Sequence, residues 1–567
     1  MNTRVSNGLV AACSFVVLTA NTLADSADFP ARPINFIVNK APRGGTIPDP
    51  DPVIIGEFGN NIIFTAKVSD KVRKIFYKSV LRKDKFLGEA NLHYDDIALK
   101  QYPIKASKVV KGEIDNYCYE EDTTNFSNGV AFFHEKGNGI YRASSTSKSS
   151  KILFLKKTDT DKTGVDPEQM ASGLSILDWE GKFPRSVFSS NAKDYQFPYL
   201  LFAAPDKKKG KELFLSDGTA AGTKVFQDIN QTFTPTMNPK THKTVQVPNG
   251  SDISPISTFF GDLGNPGSGG GVSYFSAYNG TDYHIYRVDS VQDAPKKQPK
   301  VVMTDLFEIV VKPSQLSATP LGVFWAAPTA ASNSEELWGY DPSTNTVDVL
   351  STNDGTLLPQ NAEFRSGFQH GDYNGFFFSG VLGAGGREPL VAGFSTGTGF
   401  ISSLGEVAAA GASANPRNFT QVGHSVFFVA NPGNGEHLYR SNATPGDHFD
   451  LGQFNNIRDI TSIVDLFDDG TESGKLCYFV ADNNAGTPVL WRTSIEPSDD
   501  PTPVQVLTGN GFPVKNPTSL QRLIGNGIYY LFFVCDGVGT EFENIVPTKG
   551  SPFPAQHQVW CTGRVLN

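Results

Sequence analysis

Two short segments, an aromatic-rich run of the form FFVA followed by a run of the form ELxxS, return along this chain about nine times, and that repeat limits the fold more than any other feature. The copies are 61–66 with 74–78, 129–134 with 139–143, 199–204 with 212–216, 271–277 with 284–288, 322–327 with 336–340, 375–380 with 387–392, 425–430 with 437–441, 475–481 with 489–493 and 527–535 with 558–562. The spacing is roughly 70 residues in the first third and close to 50 afterwards, room for about four short strands per unit. A polar–apolar run such as RNFTQV (417–422) or RDITSI (458–463) precedes the first segment, and another such as KVFQDI (224–229) or VDVLS (347–351) follows the second. Four short strands joined by hairpins make an antiparallel sheet, and such sheets repeated radially bury their aromatic faces against one another as propeller blades. The 55 Gly, 42 Phe and 18 Tyr against 4 Met fit many strands and turns rather than long helices. The expected fold is all-β: a single β-propeller over residues 25–567 with about nine four-stranded blades, the alternative being eight blades plus an appended sheet. The last unit runs out after its third strand, and INFIVN (34–39) is a spare strand expected to fill the fourth place and close the ring.

One copy carries a sharper motif. Residues 212–223, ELFLSDGTAAGT, resemble the ELWxSDGTxxGT repeat of exported bacterial proteins, with Phe214 where the family usually has Trp. The resemblance implies a propeller fold and export, and it carries over no catalytic residue. At SNATPGDHF (441–449) and DPSTNTVDV (341–349) the same turn has decayed. Asp217 and Gly218 are read as the turn between third and fourth strands, the carboxylate accepting backbone N–H groups and the glycine supplying a positive φ.

Residues 1–24 read as a signal peptide: Arg4 supplies the positive n-region, Leu9–Ala20 is the apolar run, and Thr22-Leu23-Ala24 supplies the small residues before a cut. A secreted, periplasmic or cell-surface location is expected. A formal charge of −9 argues against nucleic acid as a partner, and no later apolar run is long enough to span a bilayer. Export leaves Cys118, Cys477, Cys535 and Cys561, enough for two disulfides or for buried thiols, with Cys535 and Cys561 the nearest pair in sequence.

Candidate sites are few. Asp159, Asp161 and Thr163 resemble the start of a calcium loop, although Met170 stands where a bidentate Glu belongs and 166–174 also reads as a short helix. No other cofactor is implied, and no HExxH, GxSxG or Walker loop is present. Long connections at 91–125, 157–184, 230–254 and 536–556 fall, by strand parity, on one face. Four units begin with Arg in their first strand (RSVFSSN, RSGFQHG, RNFTQVG and RDITSIV), which sets Arg185, Arg365, Arg417 and Arg458 at the channel mouth on that face, to bind an anion or to tie neighbouring blades. The expected function is an exported scaffold that binds a protein or acidic glycan through the loop-rich face. The alternatives are a glycan lyase or hydrolase with its site in the axial funnel, and a structural envelope component.

Overall fold

The computed structural model describes strands between residues 27 and 177, most of residues 199–536, and residues 557–565. Among the described residues the chain is all β: nine four-stranded antiparallel sheets and two small two-stranded ones. Every FFVA segment is a second strand. These are Asn61–Ser69 in sheet 1, Gly129–Glu135 in sheet 2, Tyr199–Asp206 in sheet 3, Gly271–Tyr278 in sheet 4, Gly322–Pro328 in sheet 5, Gly375–Val381 in sheet 6, Ser425–Ala430 in sheet 7, Leu476–Asp482 in sheet 8 and Ile528–Asp536 in sheet 9. Every ELxxS-type segment is the third strand beside it. Leu215 pairs with Lys224, and Ser216 Oγ lies 2.6 Å from Thr223 Oγ1, so the segment between joins third and fourth strands, while Asp217 and Gly218 lie outside the described residues.

The second strands are apolar at consecutive positions because both faces of each sheet are covered. In Ser425–Ala430, Val426, Phe428 and Ala430 pack on Phe377 and Val391 of sheet 6, while Phe427 and Val429 pack on Cys477 and Phe479 of sheet 8. The same two-sided packing joins sheets 3 and 4, 4 and 5, 5 and 6, and 8 and 9. Sheet 9 packs in turn on sheet 1, where Tyr530, Phe532 and Val559 meet Ile54, Ile62 and Phe64. Cross-strand ring pairs reinforce the sheets, as where Phe202 stacks on Phe214 at 5.5 Å and Phe428 on Tyr439 at 5.4 Å.

The fourth strand of sheet 9 is Ala27–Pro33, paired with His557–Val565 from Ala27 opposite Val565 to Pro33 opposite Trp560. The expected strand, residues 34–39, lies outside the described residues. Pro30 and Pro33 are tolerable because this strand is outermost and its register slips between Phe29 and Arg32.

The suggested Cys535–Cys561 bridge is not formed. Cys535 is opposite Gln558 and Cys561 opposite Phe532, and their side chains enter different cores: Cys535 faces sheet 8 and Cys561 faces sheet 1. Two thiols on opposite faces of one sheet cannot be bridged without turning a strand over. Cys477 is a buried thiol of the core between sheets 7 and 8, and burial pushes its pKa far up. The side chain of Cys118 lies outside the described residues.

Candidate functional site

Two kinds of connection emerge at one end of every sheet, the turn from second to third strand and the crossover from fourth strand to the next sheet. A polar residue recurs where the third strand begins, facing a small one at the end of the second: Glu212 opposite Ala204, His284 opposite Ala277, Glu336 opposite Ala327, Glu388 opposite Gly380 and His437 opposite Ala430. His284 and His437 turn to Asp305 and Asp450 of their own fourth strands, whereas two of the glutamates reach the crossover. Glu212 accepts a hydrogen bond from Ile229 N at 3.0 Å, and Glu388 accepts one from Val407 N at 2.9 Å. Burial raises the pKa of both carboxyls, Glu212 to about 7.

At the junction of sheets 3 and 4 this device carries an extra element. The 230–254 connection contains a hairpin, Phe233–Met237 paired with Thr244–Pro248, whose strands stand in solvent. Its base is stitched by a polar cluster. Ser251 Oγ lies 2.6 Å from both oxygens of the fully buried Glu212, Asn230 N donates to Ser251 Oγ at 2.9 Å, and Asn230 Nδ2 donates to Gly250 O at 2.9 Å. Ser251 also joins the flanking strands, its N donating to Lys211 O and its O accepting from Tyr278 N. Gly210 sits at φ +80°, and a Cβ there would lie 2.5 Å from Asn249 O, so only glycine fits beneath the hairpin. Beside the base, Asp252 accepts from Lys312 Nζ at 2.6 Å and Tyr283 OH at 2.7 Å. Burial opposes its charge, but these two bonds and the lysine's charge hold its pKa below the usual carboxylate range. The neighbouring second-to-third turn, DKKKGK (206–211), adds lysines to this end, and Lys240 and Lys243 sit at the hairpin tip.

Arg417 and Arg458 occupy equivalent places in the first strands of sheets 7 and 8, opposite Val429 and Val480. The residue after each, Asn418 or Asp459, has φ near +50° at a register shift, as does Ser519 after Thr518 in sheet 9. The recurrent Arg-Asn and Arg-Asp pairs therefore mark bulges in the first strands, where Asn and Asp tolerate the left-handed backbone. Arg417 is a tie: its Nη2 donates to Glu436 Oε1 at 2.7 Å and its Nη1 to Ile457 O, at the start of sheet 8, at 3.0 Å. Arg458 is part-exposed, its Nε 3.7 Å from Asp459 Oδ2. Arg185 and Arg365 lie outside the described residues. The described first-strand residues of their sheets are Ser175–Leu177 and Glu363–Phe364. Asp159, Asp161 and Thr163 also lie outside the described residues, among which no His, Cys, Asp and Glu group could hold a metal ion. No helix among the described residues is long and apolar enough to cross a membrane.

Glu212, Asn230 and Ser251 were not singled out by the sequence reading. The recurrence of Glu at the start of the third strand, in ELFLS, ELWGY and REPLVA, was the available signal.

No known family's sequence profile matches the chain, and no curated protein matches it. Among solved structures, a post-proline cleaving enzyme from Rickettsia typhi is 9% identical, with a TM-score of 0.35 over 88% of this chain and 59% of that one. An oligogalacturonate lyase from Vibrio parahaemolyticus is 10% identical, with a TM-score of 0.29 over 80% and 98%. TolB from Acinetobacter baumannii is 11% identical, with a TM-score of 0.24 over 67% and 77%. A puromycin hydrolase is also similar at 12% identity and a TM-score of 0.29, and this chain spans 62% of its length. These are distant likenesses to β-propeller domains.

Proposed function

We propose that the nine sheets are the blades of one closed β-propeller, exported from the cell, that acts as a scaffold binding a protein or acidic glycan through its loop-rich face without catalysis. The packing of sheet 9 on sheet 1 and the seating of Ala27–Pro33 in sheet 9 support closure. The observation that carries the binding role is the 230–254 connection, a two-stranded hairpin held out from the face by a buried polar cluster and accompanied by lysines. A chain has little reason to hold so many polar groups in register at the base of a loop unless the loop's position matters. The test is binding of the chain from residue 25 to an array of acidic and neutral oligosaccharides and exported proteins, with bound glycans assayed for cleavage. Binding without new chain ends is expected. Turnover would favour a lyase or hydrolase, and the absence of any binding would overturn the reading. A density map that counts fewer than nine blades, or an open ring, would overturn the architecture.

A further inference from the structure

The hairpin at 233–248 carries a proline in the middle of one edge, Pro235, and a proline at the end of the other, Pro248. Its register pairs Phe233 with Pro248 through Met237 with Thr244, and bonds from Asn238 N to Lys243 O and from Asn249 N to Thr232 O bracket that ladder. Antiparallel pairs alternate, so pairs 234/247 and 236/245 exchange hydrogen bonds while Phe233, Pro235 and Met237 on one strand, and Thr244, Gln246 and Pro248 on the other, turn their backbone groups outward. Pro235 thus interrupts the outer edge of its own strand without costing the hairpin a bond. On the other edge the proline is terminal: Thr244 and Gln246 offer both N–H and C=O, and Pro248, at the end of the strand, offers C=O. Four apolar side chains stand exposed on the two strands, Phe233 at 54%, Met237 at 65%, Val245 at 40% and Val247 at 42%. A two-stranded ribbon with this much apolar surface is half of a stable sheet.

We propose that the other half is the same hairpin of a second copy of the chain, added edge to edge about a two-fold axis at Gln246. In that register Gln246 exchanges two backbone hydrogen bonds with Gln246 of the second copy, and each Thr244 N–H meets the other copy's Pro248 C=O. Val245 falls opposite Val247 in both halves, which gathers four valines on one face. The neighbouring register, with Val245 opposite itself, sets Val247 against Lys243 and is disfavoured. The resulting four-stranded sheet has Pro235 on both outer edges, which stops growth at two copies. The inference does not depend on what the loop-rich face binds.

Light scattering on the chain from residue 25 at tens of micromolar should give the mass of a dimer. Gln246→Pro should give a monomer with unchanged melting, because this N–H points away from the hairpin's own ladder, and should weaken dimerisation at least tenfold. Gln246→Cys should cross-link to a covalent dimer under mild oxidation, since directly opposite residues in a bonded pair lie within disulfide reach. Val245→Cys, alone, should not. A monomer at all concentrations, a dimer indifferent to Gln246→Pro, or cross-linking through Val245→Cys in place of Gln246→Cys would overturn the proposal. So would a monomer that instead sediments with vesicles of phosphatidylcholine and phosphatidylglycerol.

Discussion

The junction between sheets 3 and 4 and the junction between sheets 7 and 8 rest on the same kind of group and put it to different use. In both, a glutamate at or just before the start of a third strand accepts a backbone N–H from the chain leading into the next sheet: Glu212 from Ile229 in the crossover and Glu436 from Ile457 in the first strand of sheet 8. Between sheets 7 and 8 the crossover is the single residue Phe454, whose ring packs at 5.1 Å on both Phe479 and Trp491, and Glu436 is half-exposed and neutralised by Arg417. Between sheets 3 and 4 the crossover runs from 228 to 256 with a hairpin inside it, and Glu212 is wholly buried with a hydroxyl and backbone N–H groups as its partners. A carboxylate given an arginine can sit at the surface and simply join two sheets. One given only neutral donors must be buried to be held firmly, and its ionisation then becomes unfavourable.

That contrast can be broken most sharply at Glu212 itself. Glu212→Ala would leave Ser251 and the crossover N–H groups unsatisfied in the interior, and should cost about 3 kcal/mol in denaturant unfolding. A loss near zero would mean the hairpin base is not held by this residue. The pH dependence follows from the raised pKa. The folded chain keeps the Glu212 proton to about pH 7, whereas the unfolded chain releases it near 4.5. The unfolded state binds fewer protons in that window, so stability should fall as pH rises from about 4.5 to 7, by on the order of 3 kcal/mol, and then level off. Glu212→Gln should flatten this slope, while Glu436→Gln should leave it in place.

Gly210→Ala is expected to cost about 2 kcal/mol, because it combines a left-handed backbone with a contact on Asn249 O, and its melting curve reports on the same junction. At the other junction Arg417→Gln should cost about 1 kcal/mol, since the pair is part-exposed and screened, and Arg458→Gln less than about 0.5 kcal/mol. If both substitutions instead abolish capture of an acidic oligosaccharide at unchanged melting temperature, the arginines are a site after all. Reducing agent should not lower the melting temperature through Cys535 and Cys561, which lie on opposite faces of sheet 9.

The repeat is written in local pattern. Runs such as SVFFVA and YLLFAA are unbroken because both faces of each sheet are buried, so the second and third strands of every sheet were legible from local pattern, and so was the SDGT connection. First strands were less so. The described first-strand residues Glu363–Phe364 and Ser175–Leu177 show no alternation and are not led by Arg. Everything that depends on register between distant segments comes only with the packed fold. ADFPARP, with two prolines and little apolar alternation, is chosen as the last strand of sheet 9 because an outermost strand needs only one bonded edge. The faces of Cys535 and Cys561 depend on a pairing across more than twenty residues, in which a shift of one position turns a side chain over. Whether an arginine binds a ligand or ties two sheets depends on which carboxylate and carbonyl the fold brings to it, as Glu436 and Ile457 come to Arg417. Local periodicity is written in neighbouring residues, but the partners of a buried polar group are set only when sheets far apart in the chain are packed together.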